Sequence, residues 1–284
     1  MTYLDNLASL LYCDLNLKKE ETPVKIRQLS GIVLIGLLTL STVAFAETAN
    51  LSETQKKQVE TVVHDYLIKN PEVLVQAMQV LQQKQMEQAQ KSIEKTQQLG
   101  PKFVEELFRN TKDPVVGNPT GKVTMVEFFD YQCPHCTAME PVLEAAMKSN
   151  PDLRVVYKEF PIRGPMSDLA SRVALVAQNQ GKYSAFHAAL MNIGQLPLTE
   201  EIIYKVAKDS GLDVEKTKKD VKDKAIDDQI KTNIKLGQQL QLMGTPAIFV
   251  AKSDVKQNAS PQAVAFIPGQ INQDQIILVI KQIQ

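Results

Sequence analysis

Hydrophobic positions along the chain follow two different spacings, and the change between them is sharpest across residues 123–150. Val123 to Phe129 is a short run rich in β-branched and aromatic residues, the composition of a strand. From Cys136 onward the apolar positions Met139, Val142, Leu143, Ala146 and Met147 recur at helical intervals. A strand is therefore predicted to run through a tight turn into the first turn of a helix, with Cys133 and Cys136 at that junction.

Ahead of this unit the pattern is helical. Ser52 and Gln55 have the spacing of a capping box, and Val59, Val62, Val63, Tyr66 and Leu67 form one apolar stripe. Asn70-Pro71 ends that helix and opens a second, with Leu74, Met78, Leu81, Met86, Ala89 and Ile93. Gly100-Pro101 breaks it. A short helix is expected over Phe103–Phe108, then a linker of turn residues over 113–121. The apolar faces of the first two helices are too narrow to be stable unpacked. They need a partner, either the body of the same chain or a second copy.

Beyond the cysteine helix, in which Pro141 should introduce a kink, Leu153–Phe160 reads as a second strand. Four helices are predicted next: Ser167–Gln180, Tyr183–Ile193, Thr199–Ser210 with Thr199 as cap, and Val214–Gln241. Ala247–Ala251 and Ala263–Ile267 then resemble a hairpin, and Ile271–Ile283 a closing helix. The order is βαβ, a helical block at about 162–242, then ββα. Three segments follow: a leader at 1–46, a helical extension at 47–112 and an α/β domain at 113–284.

The apolar run from Gly31, preceded by Lys25 and Arg27 and ending in Ala44-Phe45-Ala46, has the layout of a secretory signal peptide cut after Ala46. A retained anchor is the alternative, but the run is short for a span. Residues 1–23 are a poorly basic prelude, and a translation start nearer Val24 is expected. Tyr12 occupies the place where a lipoprotein site at Cys13 would need a small residue. Export to the periplasm is the expectation, with outer-membrane or surface attachment left open.

The 284 residues carry 32 basic and 32 acidic side chains and no Trp, so nothing favours nucleic acid as a partner. Hydrophobic contact is the expected way of holding substrates. Of three cysteines, Cys13 precedes the cleavage site, leaving Cys133 and Cys136 in the mature chain. They would close too short a loop to act as an entropic staple. A zinc site would need two further ligands, and none is at hand; His64 has no second ligand at metal spacing. No metal or cofactor is expected.

At a helix start, free amide N–H groups and the helix dipole stabilise an anion, here a thiolate. Pro134 suits the first helical position, and a protonated or N–H-donating His135 offers the sulfur a further partner. The prediction is an exposed Cys133 of lowered pKa, with Cys136 one turn behind and pointing inward. Such a pair opens and closes a disulfide. Glu127 and Lys158, on neighbouring strands, are either ordinary surface groups or a partly buried pair in which Glu127 takes the proton of Cys136. His187 reads as an ordinary helix residue.

Glu127-Phe128-Phe129, Cys133-Pro134-His135-Cys136 and Gly244-Thr245-Pro246 together resemble the DsbA family of bacterial periplasmic thiol:disulfide oxidoreductases. The resemblance spans roughly Asp113–Gln284. It implies a thioredoxin fold with a helical insertion and a redox-active Cys133–Cys136 disulfide. A cis peptide at Pro246 would aim the Thr245 backbone at an extended substrate, where the residues alone allow a trans proline opening an edge strand. Relatives with such an N-terminal extension dimerise through it, so a homodimer is expected. Cysteine-containing secreted or periplasmic proteins are the expected substrates, with a membrane redox partner to reset the cysteines. Thr245 resembles the isomerases of the group, while His135 resembles its oxidants. The alternative is a dimeric chaperone or surface binding protein whose cysteines are incidental.

Overall fold

The computed structural model describes residues 51–193 and 197–283; the segment expected to be a signal peptide, and its prelude, lie outside them. Ten helices and five strands are found among the described residues. The first compact unit, Met1–His64, enters only as Leu51 and the opening turns of α1 (Glu53–Lys69). There the Ser52 amide donates to Gln55 Oε1 at 2.9 Å and the Gln55 amide to Ser52 Oγ at 3.3 Å, the reciprocal bonds of a capping box.

α2 (Glu72–Leu99) ends where Gly100-Pro101 tightens into a 3-10 turn, and α3 (Val104–Phe108) follows. The last turns of α2 dock on the sheet. Thr96 Oγ1 donates to Leu240 O at 3.0 Å, and Gln97 accepts from the Phe266 amide at 2.7 Å. Gln97 Nε2 donates to the carbonyls of Pro261 and Val264, so one side-chain amide stands in for a missing neighbour strand.

The sheet comprises β1 (Val115–Gly117), β2 (Val123–Phe129), β3 (Leu153–Glu159), β4 (Ala247–Lys252) and β5 (Val264–Pro268), in the order β1-β3-β2-β4-β5. Only β2 and β3 are parallel; the other pairs are antiparallel. α4 (Pro134–Ser149) makes the crossover from β2 to β3. Between β3 and β4 lie α5 (Pro165–Asn179), α6 (Tyr183–Met191), α7 (Glu200–Asp209), α8 (Val214–Asp220) and α9 (Lys224–Gln239), and α10 (Gln273–Ile283) closes the chain. This is a thioredoxin fold with a helical insertion.

Every residue of β2 is buried, as a central strand covered on both faces requires. Val123, Met125 and Phe129 face the core that holds both cysteines, α4, the start of the insertion and α10. Val126 and Phe128 face the opposite core, with Phe249, α3 and the end of α9. There Gly237 lets α9 approach closely, since a Cβ would stand 2.5 Å from the Phe160 ring.

Two expectations are corrected. The segment predicted as a linker contains β1, because Val115 and Val116 complete an edge ladder against Val156 and Val155. The helix predicted over Val214–Gln241 is two, because the Asp223 carboxylate accepts from the Ala225 amide at 2.9 Å and caps a new start. The cap at Thr199 forms as expected, accepting from the Ile202 amide at 3.2 Å.

Candidate active site

The turn between β2 and α4 is held by one carboxylate. Asp130 is buried, and Oδ1 accepts from the Gln132 amide at 2.7 Å and Ser167 Oγ at 2.7 Å. Oδ2 accepts from the Ile162 and Arg163 amides at 2.8 and 3.0 Å. The cysteine turn is thereby tied to the start of the insertion, which the sequence reading did not anticipate. Cys133 is the extended N-cap of α4, and its carbonyl accepts from the amides of Cys136 and Thr137, each at 3.0 Å. Pro134 takes the first helical position, where no N–H is needed.

Both cysteines are free thiols, and both are buried. Cys136 points inward as expected. Cys133 was expected to be exposed, yet its relative exposure is 0%. The loop before β4 lies against it: the Cys133 thiol donates to the Thr245 carbonyl at 3.2 Å, and the Thr245–Pro246 peptide is cis.

The two thiols are driven apart in acidity. A hydrogen bond from the Cys136 thiol, with the backbone amides of Cys136 and His135 adding to it, lowers Cys133 from 9.0 to about 5 against the opposing effect of burial. Stabilising a thiolate to that extent corresponds to roughly 5 kcal/mol. Cys136 moves the other way, pushed far up by burial, by its bond to Cys133 and by the neighbouring Glu127. One sulfur is thus an anion at neutral pH, and the other keeps its proton. The Thr245 hydroxyl is buried without a hydrogen-bond partner in this dithiol state.

His135 contributes differently from the prediction. Its backbone N–H helps lower Cys133, but its exposed ring lies with Nδ1 3.3 Å from Gln270 Oε1. The expected Glu127–Lys158 pair does not form. In the parallel register Glu127 stands beside Tyr157, and Lys158 beside Phe128, so the two project to opposite faces of the sheet. Lys158 Nζ instead pairs with the buried Asp113 carboxylate and donates to the Glu106 carbonyl. Glu127 faces the sulfurs, and burial, Glu140 and Cys133 together raise its pKa well above the usual carboxylate range.

Beneath the cysteines lies a buried polar cluster that the sequence reading missed. His187 Nε2 is 3.2 Å from Glu140 Oε2, and His187 Nδ1 is 3.0 Å from the Tyr131 hydroxyl. Tyr157 donates to Glu140 Oε2 at 3.3 Å, and Tyr183 to Glu159 Oε1 at 2.9 Å. Burial raises Glu159 to about 8. The available signal was Tyr183 and His187 one turn apart on the apolar face of α6. Among the described residues no group of three His, Cys, Asp or Glu side chains is placed to hold a metal ion.

Residues 124–277 match the DSBA-like thioredoxin domain, and residues 55–88 match the N-terminal domain of the copper resistance protein ScsC. The chain is similar to the crystal structure of BcfH from Salmonella enterica Typhimurium, at 35% identity and a TM-score of 0.61, over 81% of this chain and 96% of that one. A thioredoxin-like oxidoreductase from Silicibacter pomeroyi is 36% identical with a TM-score of 0.56, over 63% of this chain and 95% of that one. The probable disulfide bond formation protein D of Bacillus anthracis is 26% identical over 157 residues, 51% of this chain and 72% of that protein. With its thiols divided between a stabilised anion and a protonated partner at a strand-to-helix turn, the chain belongs to the DsbA-like family of thiol:disulfide oxidoreductases.

Proposed function

We propose that the protein is exported to the periplasm and donates disulfides to cysteine-containing secreted proteins, with Cys133 as the sulfur that bonds to substrate. The observation that carries this reading is the lowering of Cys133 to about 5. A stabilised thiolate stabilises the reduced protein, which makes its disulfide oxidising. A substrate thiolate attacks Cys133 of the Cys133–Cys136 disulfide; a mixed disulfide forms and Cys136 leaves as an anion. Glu127 gives that anion a proton. A second substrate thiolate then attacks the substrate sulfur of the mixed disulfide, which completes the substrate disulfide and releases the Cys133 thiolate. A membrane redox partner then takes up the two electrons.

Met243, 88% exposed beside Gly244-Thr245-Pro246, and the half-exposed Ile162 offer apolar contacts to an extended substrate. The signal peptide lies outside the described residues, and export is supported by its charge and hydropathy pattern alone. α1 and α2 expose Val59, Val62, Val63, Tyr66, Leu74 and Met78. Apolar residues left open on each of these helices support self-association as a homodimer and, with it, isomerase capacity.

Trapping with Cys136→Ala should accumulate mixed disulfides to Cys133 on exported proteins. Oxidation of a reduced substrate without repair of a scrambled one would assign the donor role; efficient repair would move the reading to isomerase. The exposed stripe also favours a second reading, a chaperone with incidental cysteines. Full retention of function in a Cys133→Ser, Cys136→Ser variant would establish that reading and end the first.

A further inference from the structure

Four short segments border the Cys133 sulfur, and hydrogen bonds lace them together. β2 and β3 run parallel, so the turns that leave their C-terminal ends lie on one edge of the sheet. The Arg163 amide donates to Asp130 Oδ2 at 3.0 Å, and the Arg163 carbonyl accepts from Gln132 Nε2 at 3.2 Å. The turn after β3 is thus pinned, on both sides of one residue, to the turn that carries Cys133. The Cys133 thiol in turn meets the Thr245 carbonyl, and the Gly269 amide donates to the Pro246 carbonyl at 2.8 Å. His135 reaches Gln270.

The charge of this border is one-sided. Residues 132–135, 162–165, 243–246 and 268–271 contain no Asp or Glu, and Arg163 is their only Lys or Arg. Arg163 is exposed, and among the described residues no carboxylate pairs with its guanidinium. The acids around it are committed elsewhere. Asp130 accepts four hydrogen bonds, Glu159 is buried with Tyr183, and Asp168 pairs with Arg172 at 2.6 Å. The border therefore carries one unpaired positive charge.

We propose that Arg163 reads an acidic side chain beside the substrate cysteine, so that polypeptides with Asp or Glu next to the reacting cysteine are preferred to those with Asn, Gln or Lys there. The inference rests on the reading that Cys133 bonds to polypeptide cysteines. Met243 and Ile162 give apolar contact whatever the charge of the substrate; the guanidinium adds sign, as charges at the rim of an interface do. Its planar fork suits a carboxylate. The peptide's own chemistry pulls the opposite way, because a neighbouring carboxylate disfavours the thiolate that must attack. A preference for acidic peptides must then come from the protein.

The test is the second-order rate at which dithiol peptides with Asp, Asn or Lys beside each cysteine reduce the disulfide form of the full chain, followed by stopped flow. At low ionic strength the Asp peptide should react about threefold to fivefold faster than the Asn peptide, toward the upper end of what an exposed ion pair supplies, and the ratio should fall toward one in ~0.5 M salt. Arg163→Gln keeps both backbone bonds and should bring the ratio to one or below; Arg163→Glu should turn the preference to the Lys peptide. A ratio of one in the wild type, or a ratio that survives in Arg163→Gln, overturns the proposal. So does an equal loss with all three peptides in Arg163→Gln, which would mean that the charge favours the attacking thiolate rather than its neighbour. If no peptide reduces the disulfide, the exchange reading falls by itself. Chemical-shift titrations with serine in place of cysteine then still decide the proposal: a Kd lower for Asp than for Asn by the same ratio upholds it, and equal Kd values overturn it.

Discussion

The two faces of β2 are equally dry and chemically opposite. On one, a single ion pair, Lys158 with Asp113, is set among Val126, Phe128, Val156 and Phe249, and the Glu106 carbonyl takes another of the lysine's protons. On the other, Glu127, Glu140 and Glu159 are buried with two thiols and an imidazole, and among the described residues no lysine or arginine pairs with them. Glu127 Oε1 and Glu159 Oε2 have no hydrogen-bond partner. A buried charge that has its counter-ion holds structure together. Glu127 and Glu159, buried without one, keep their protons beyond the ordinary carboxylate range and are available for proton transfer.

The largest effect expected from breaking this contrast is on stability. Lys158→Met leaves Asp113 buried without its partner and should cost about 3–5 kcal/mol in urea unfolding, while Cys133 still titrates near 5. A large move in that titration would show that the two faces are electrostatically one. Glu127→Gln should do the reverse. Formation of the mixed disulfide, in which Cys136 must gain a proton as it leaves, should slow by about a hundredfold when followed by stopped flow. Stability at pH 7 should rise, because a carboxyl whose folded pKa is raised costs stability above its unfolded value.

The acid response of the reduced protein sharpens the comparison further. Cys133 is lowered on folding, so its contribution is fully present above the unfolded thiol value and is lost as pH falls through about 5. Between pH 7 and pH 5 the reduced form should lose roughly 2 kcal/mol relative to the oxidised form, measured by denaturation of both. The smallest effect is expected from His135→Ser, because the ring sits with Gln270 rather than the sulfur. Alkylation rates across pH should place Cys133 within about one unit of its wild-type value; a larger shift would return the imidazole to the thiolate.

Much of the architecture was written in local pattern. The strand-to-helix switch at 123–150, the Ser52 and Thr199 caps, the break at Asn70-Pro71 and the closing ββα follow from spacing, capping and turn residues, which act over a few neighbours. The Cys-Pro-His-Cys turn was legible for the same reason. What escaped was non-local. β1 is a strand only because β3 offers an edge to Val115 and Val116. Lys158 finds Asp113 rather than Glu127 because the parallel register sends the two strand neighbours to opposite faces. Asp130, Tyr131, Glu140, Glu159 and His187 are scattered over 58 positions of sequence and meet only when the insertion closes over α4. Sequence alone determined that two sulfurs sit at a strand-to-helix turn and on what kind of scaffold; tertiary packing decided which groups surround them, because burial and counter-charge are set by residues distant in the chain.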